Sequence, residues 1–124
     1  MVDSTGAMLV DTSVIVRYLV NDHHELAERA TRVTEGPHTV VVSEVVLVEV
    51  AHVLSRLYGI ERERVVDTLV DLLQRRNMRM LQLPMTLALE AIQSCRTSKR
   101  FAFADVILWA HARHGTHLPI NTFD

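Results

Sequence analysis

The sequence predicts a three-layer α/β/α domain around a central parallel sheet of about four or five short strands. Short apolar, β-branched runs alternate with amphipathic helical patterns along the chain, which is typical of a parallel sheet covered on both faces. The length of 124 residues suits one domain, and a hydrophobic content of 48% is enough to form a core. We therefore interpret residues 1–124 as a single domain.

The first half of the chain follows a strand, helix, helix, strand order. Ala7–Val10 is an apolar run that stops at Asp11, and the spacing of apolar residues beyond it predicts a helix. A second amphipathic helix ends at Gly36 and Pro37. Thr39–Val42 is β-branched throughout, which predicts the second strand.

The second half continues the alternation with four helices and two strands. The helices are predicted over 43–57, 61–74, from Pro84 onward and over 102–114, and the strands over 79–83 and 117–120. In such sheets ligands bind beyond the carboxyl ends of the strands, so functional residues are expected just after each strand.

Charge and cysteine content exclude several classes of function. Thirteen Lys and Arg against fifteen Asp and Glu give a net charge of −2, which excludes binding of nucleic acid by bulk charge alone. No apolar run approaches the ~20 residues that span a bilayer, and the N-terminus lacks a signal sequence, so no membrane partner is expected. Cys95 has no disulfide partner within the chain and is interpreted as a core thiol, and we expect a cytoplasmic location.

Two acidic residues directly follow predicted strands. Asp11 ends the first strand, where it could also cap the following helix. Asp124 follows the fourth predicted strand, where it could also be a frayed terminus.

Two further acids interrupt apolar helix faces. Glu49 is flanked at helical spacing by valines and could instead pair with Arg56 or His52. Asp105 also has apolar helical neighbours, although a first-turn acid gains from the helix dipole. Glu44 is expected to be a solvated first-turn acid.

The four acids together predict a metal site at one end of the sheet. Converging carboxylates raise one another's pKa unless a cation is bound, and carboxylate-only ligands select Mg²⁺ or Mn²⁺. Such an ion serves phosphodiester hydrolysis. With four of the fifteen acids assigned to the site, eleven acids remain against thirteen bases, so the rest of the protein carries a charge of +2.

Four segments, in order and spacing, resemble the PIN-domain ribonucleases, and especially the VapC-like toxins of bacterial and archaeal toxin–antitoxin pairs. They are VDTSV at 10–14, VLVEV at 46–50, FADV at 103–106 and NTFD at 121–124. Members of this family usually continue past the last acid into another strand, whereas this sequence stops there. Residues 1–7 precede the usual start, so we expect them to be an N-terminal extension.

The resemblance implies a catalytic and metal-binding set, supporting residues, a reaction and partners. The acids of that set are Asp11, Glu49, Asp105 and Asp124, with Ser13 and Thr122 in support. The implied reaction is Mg²⁺- or Mn²⁺-dependent endonucleolytic cleavage of RNA. The implied partners are the RNA substrate, a cognate antitoxin protein and a second copy of the chain in a homodimer.

Several alternatives stay open. A catalytically inactive PIN-like domain could serve as an RNA-binding or protein-interaction module. The residues considered for RNA contact are Arg17, Arg96, Lys99 and Arg100, each of which could instead be a solvated surface charge. The histidines considered for a transition-metal site, or for favourable placement near a helix C-terminus, are His111, His114 and His117.

Overall fold

A three-stranded parallel sheet forms the centre of the protein. The computed structural model describes residues 6–115 and 118–122. In the described residues the strands are β1 (Ala7–Val10), β2 (Thr39–Val42) and β3 (Met78–Met80), in the order β1-β2-β3. The predicted parallel sheet flanked by helices is confirmed, with three strands in the described part of the chain rather than four or five.

Six helices surround this sheet in the described ranges. They are α1 (Thr12–Val20), α2 (His24–Thr34), α3 (Glu44–Arg56), α4 (Arg62–Leu73), α5 (Met85–Ser94) and α6 (Phe103–Arg113). Helix α1 packs against α2 and α3, α3 also contacts α4 and α6, and α5 contacts both α4 and α6. Helix α3 thereby connects the helix after β1 with the last helix. No helix in the described residues is long and apolar enough to cross a membrane.

The core is built on the central strand. Three consecutive β2 residues, Val40 to Val42, are buried, as expected for a parallel strand covered on both faces. In register, Val40 lies between Met8 and Met78, and Val42 lies between Val10 and Met80. These side chains pack with the inward residues of α3 to α6, so the helices are held against one shared core.

The third strand begins and ends earlier than predicted. It covers Met78–Met80 rather than 79–83, because the backbone leaves β2 after Leu81, whose N–H donates to the Val42 carbonyl at 3.0 Å. The next two amides, of Gln82 and Leu83, donate instead to a side chain of α3. The prediction for 79–83 was therefore wrong beyond Met80.

The fourth predicted strand, 117–120, is wrong for its described part. Residues 118–120 form no strand, and His117 lies outside the described residues. Leu118 is 62% exposed, so the apolar pattern of this segment does not reflect burial in the sheet.

The start of α3 is fixed by two side chains. Ser43 caps the helix, since its Oγ accepts from the Val46 N–H at 3.1 Å. Glu44 is only 5% exposed, and its Oε2 accepts from the N–H groups of Gln82 and Leu83 at 3.0 and 2.9 Å. The expectation that Glu44 is a solvated acid was wrong, because the segment after β3 folds over the first turn of α3 and presents two backbone donors to it.

Candidate active site

Asp11 lies between β1 and α1 and is held by two short-range hydrogen bonds. Its Oδ1 accepts from the Ser13 hydroxyl at 2.7 Å and from the Val14 N–H at 3.1 Å, so the predicted capping role is confirmed. These donors, the Ser13 hydroxyl first, lower the pKa of Asp11 below its ordinary value. Asp11 is therefore an exposed, ionised carboxylate of fixed orientation at neutral pH.

Glu49 is exposed on the second turn of α3. The expectation that it interrupts an inward face was wrong, because the buried stripe of this helix is Leu47, Val50, Ala51 and Leu54. Because most residues from Val45 to Leu54 are apolar, the sequence is compatible with two different buried faces of this helix. Tertiary packing determines which face is buried. In the described residues Glu49 has no hydrogen bond or ion pair, so neither Arg56 nor His52 neutralises it.

Asp105 is exposed in the first turn of α6. Its Oδ2 accepts from the N–H of the N-cap residue Ala102 at 3.2 Å, a contact that stabilises the first turn of the helix. The inward residues of α6 are Phe103, Val106, Ile107 and Ala110. The expected apolar surround was wrong, since Leu108 and Trp109 are 52% and 38% exposed.

The elements that carry these acids are neighbours, but the acids do not form a ready-made ligand cluster. Helix α3, which carries Glu49, contacts both α1, which follows Asp11, and α6, which carries Asp105. In residues 6–115 and 118–122 no three His, Cys, Asp or Glu side chains are grouped closely enough to hold a metal ion. Asp124, the fourth predicted acid, lies outside the described residues.

The donor chemistry nevertheless fits a hydrated Mg²⁺ or Mn²⁺ ion. Both ions prefer carboxylate oxygens, and Mg²⁺ is usually held by one or two carboxylates together with several waters. Asp11 is ionised and oriented, and Glu49 is exposed and unpaired in the described structure. One or two of the predicted acids could hold such an ion.

The histidines and the cysteine do not add a site. His111 and His114 belong to no metal-ligating group in the described residues, and His117 lies outside them. Cys95 is fully buried in the core, and burial raises the pKa of its thiol. The interpretation of Cys95 as a core thiol is confirmed.

Two of the four predicted RNA-contacting bases are engaged in ion pairs. Arg17 Nη1 lies 2.8 Å from Asp22 Oδ1, and Arg96 pairs with Asp67. The side chains of Lys99 and Arg100 have no ion-pair partner in the described part of the chain. Thr122, one of the two supporting residues, is described and exposed.

A groove between α1 and α2 begins beside the first acid. It has a volume of about 360 Å³, and its lining includes Ser13, four apolar side chains, Arg17 and Arg29. Arg29 is exposed and has no ion-pair partner in the described residues. Sequence reasoning missed Arg29, although its position three residues after Leu26 on α2 places both on one side of that helix.

The fold and these residues define an α/β/α domain of nuclease-like fold with carboxylates on neighbouring elements. The PIN domain family model matches residues 8–124, so the chain belongs to the PIN domain family. PIN domains are generally nucleases, and those nucleases typically use divalent metals. Neither a curated protein nor a solved structure matches the chain.

Proposed function

We propose that this protein is a metal-dependent endoribonuclease that hydrolyses RNA phosphodiester bonds, and that it is the toxin component of a toxin–antitoxin pair. The observation that carries the proposal is an oriented, ionised Asp11 at the end of β1 in a chain that belongs to the PIN domain family. Exposed acids on the two neighbouring helices α3 and α6 support it.

The four acids are assigned a metal-binding role. Asp11, Glu49, Asp105 and Asp124 would hold Mg²⁺ or Mn²⁺, which when bound activates water and stabilises charge on phosphate oxygens. The Ser13 hydroxyl orients Asp11 and lowers the pKa of its carboxyl. The Ala102 N–H orients Asp105.

Glu49 and Thr122 complete the assignment. The Glu49 side chain has no hydrogen-bond or ion-pair partner in the described residues, so both of its carboxylate oxygens are open to a ligand. Thr122 is assigned a supporting role beside Asp124 on the basis of the family resemblance.

RNA binding is assigned first to the groove beside Ser13. Its apolar lining suits a nucleoside, and the guanidinium groups of Arg17 and Arg29 suit the phosphates on either side. Lys99 and Arg100 precede the helix that carries Asp105 and supply further positive charge, whereas the charge of Arg96 is offset by Asp67. Local charge of this kind explains how a chain of net charge −2 could bind RNA.

The partners follow from the family resemblance, whereas the location fits the single cysteine and the single domain fits the chain length. We propose a cognate antitoxin that covers the acidic site, a homodimer, and a cytoplasmic location. Residues 1–124 would form one domain, with 1–7 as an extension before the family's usual start.

The test is metal-dependent cleavage of a structured RNA. The wild-type protein should cleave with Mg²⁺ or Mn²⁺ and stop cleaving in EDTA, whereas Asp11→Asn and Glu49→Gln should lose the activity. Asp71→Asn is the matched control, because Asp71 is an exposed acid on α4 with no hydrogen bond or ion pair in the described residues. Equal residual cleavage by wild type and both site variants would overturn the nuclease assignment.

Such a result, together with retained RNA binding, would favour the second candidate, an inactive RNA-binding or protein-interaction module.

Thermal unfolding tests the proposed metal site independently of cleavage. A ligand that binds only the folded state raises the melting temperature by mass action, so millimolar Mn²⁺ should stabilise the wild type more than Asp11→Asn.

A further inference from the structure

Arg62 of α4 binds both ends of the linker, residues 95–102, that connects α5 with the Asp105 helix α6. Arg62 Nε donates to the Cys95 carbonyl at 2.6 Å, and Arg62 Nη2 donates to the Phe101 carbonyl. Its guanidinium also lies over the Phe103 ring, 5.1 Å from the centroid. A single side chain therefore contacts the end of α5, the end of the linker and the first residue of α6.

The hydrogen bonds of the Arg62 side chain both go to backbone carbonyls. In the described residues Arg62 forms no ion pair, whereas Arg96 of the same linker pairs with Asp67 of α4. Hydrogen bonds from a guanidinium to carbonyls are charge-assisted and stronger than neutral ones. An arginine that pairs with no acid and binds two carbonyls of one linker fixes the path of that linker.

The second of these carbonyls belongs to the same peptide group that orients Asp105. The Phe101 carbonyl and the Ala102 N–H are the two polar ends of one planar unit. Arg62 binds the carbonyl end, and Asp105 Oδ2 accepts from the N–H end at 3.2 Å. Chains of hydrogen bonds strengthen one another, so the guanidinium also makes this N–H a better donor.

We propose that Arg62 is a positioning residue for Asp105, acting through the Phe101–Ala102 peptide. It holds that peptide in the orientation in which its N–H engages Oδ2 and leaves Oδ1 of Asp105 to face a ligand. In the described structure Oδ1 accepts no hydrogen bond. The proposal rests on the metal-dependent activity proposed above.

The first experiment compares Arg62→Gln with Arg64→Gln. Arg64 is an exposed arginine of the same helix without hydrogen bonds or ion pairs in the described residues, so it controls for the loss of a positive charge. Groups that orient metal ligands typically contribute 10–100-fold to metal affinity or activity, so Arg62→Gln should raise the half-activating Mn²⁺ concentration by about tenfold. The KM for RNA should stay unchanged, and Arg62→Lys should recover part of the Mn²⁺ response.

The second experiment removes the Ala102 N–H, the hydrogen-bond donor at the other end of the Phe101–Ala102 peptide. Ala102→Pro deletes the N–H that Asp105 accepts from, and the φ of −76° at Ala102 is one that proline adopts. It should reproduce the Mn²⁺ shift of Arg62→Gln, and the double variant should be no worse than either single one, because residues acting through one contact are not additive. If Arg62→Gln is poorly folded, Arg62→Lys takes its place in this cycle, so the proposal stays testable.

The stabilisation of each variant by Mn²⁺ in thermal unfolding provides a readout besides activity. If Mn²⁺ stabilises the wild type and shifts the unfolding midpoints of Arg62→Gln and Arg64→Gln equally, the positioning role of Arg62 is overturned. The proposed function then still stands. Additive effects of Arg62→Gln and Ala102→Pro overturn it as well. A wild type with neither a Mn²⁺-dependent melting shift nor cleavage overturns the proposed function itself.

Discussion

Two glutamates on α3, five positions apart in sequence, have opposite environments. Glu44 is buried and uses Oε2 to bind the backbone of the segment after β3. Glu49 is exposed, and its side chain has no hydrogen bond or ion pair in the described residues. The first acid holds the fold together, and the second keeps its oxygens available for a ligand.

The other two described site acids fall between these extremes. Asp11 and Asp105 both remain exposed, and each accepts a backbone N–H at the start of a helix. Such an acid can be oriented by the fold and still present oxygen to solvent. The comparison therefore separates an acid whose oxygens bind the fold from acids whose oxygens stay exposed, and only the latter are proposed as metal ligands.

The largest expected effect is on catalysis by Glu49→Gln. Loss of a metal-binding carboxylate removes several kcal/mol of charge stabilisation, so kcat/KM for RNA should fall by about a thousandfold. Because Glu49 is exposed and unpaired, the free energy of unfolding should change by less than about 0.5 kcal/mol. If Glu49→Gln keeps full activity, as the control variant Asp71→Asn should, the proposed metal-binding role of Glu49 is contradicted.

The reverse result is expected for Glu44→Ala. Removing the carboxylate leaves the N–H groups of Gln82 and Leu83 without their acceptor, which should lower the free energy of unfolding by about 2–3 kcal/mol. Urea denaturation measures this loss, and Glu44→Gln should lose less, because its amide oxygen can still accept. Unchanged stability in Glu44→Ala would show that the contact contributes nothing net.

A smaller effect is expected from Ser13→Ala, which removes the main cause of the low pKa of Asp11. A carboxylate whose pKa is lower in the folded state stabilises the protein above its unfolded-state pKa, and this contribution is lost as the pH falls through the folded-state value. In Ser13→Ala the pKa of Asp11 should rise toward its ordinary value, and less stability should be lost on acidification from about pH 5 to about pH 2. Carbon-detected NMR titration of the Asp11 carboxyl measures the shift, and an unchanged pKa would contradict the role of the hydroxyl.

The smallest effect extends the comparison to the bases of the groove. Arg17 is paired with Asp22, whereas Arg29 has no described ion-pair partner. Arg29→Gln should weaken RNA binding a few-fold and lower the slope of log affinity against log salt by about one. Fluorescence anisotropy at several salt concentrations measures both, and an unchanged slope would remove Arg29 from the RNA-binding surface.

Local patterns in the sequence predicted the first strand, the second strand and the Asp11 cap. The β-branched run Thr39–Val42 and the Ala7–Val10 run form strands with the predicted bounds. Asp11 caps α1 as expected. These features depend on neighbours within a few residues, so the information was present in the local chain.

Local sequence patterns did not predict which acids are exposed or where β3 ends. On α3 nearly every position is apolar, so periodicity alone did not distinguish the buried stripe from the exposed one. Strand β3 ends where its partner β2 ends, at the pair of Val42 and Met80. The amides of Gln82 and Leu83 donate to Glu44, which lies far from them in sequence.

The sequence by itself determined the alternation of strands and helices, the family and the identity of the acids, because these are encoded in composition, order and spacing. Only the tertiary structure decided which acid is buried, which is free, and that Arg62 reaches the peptide beside Asp105. Those outcomes depend on contacts between residues distant in the chain. Packing selects such contacts by matching buried donors to acceptors, which no local pattern specifies.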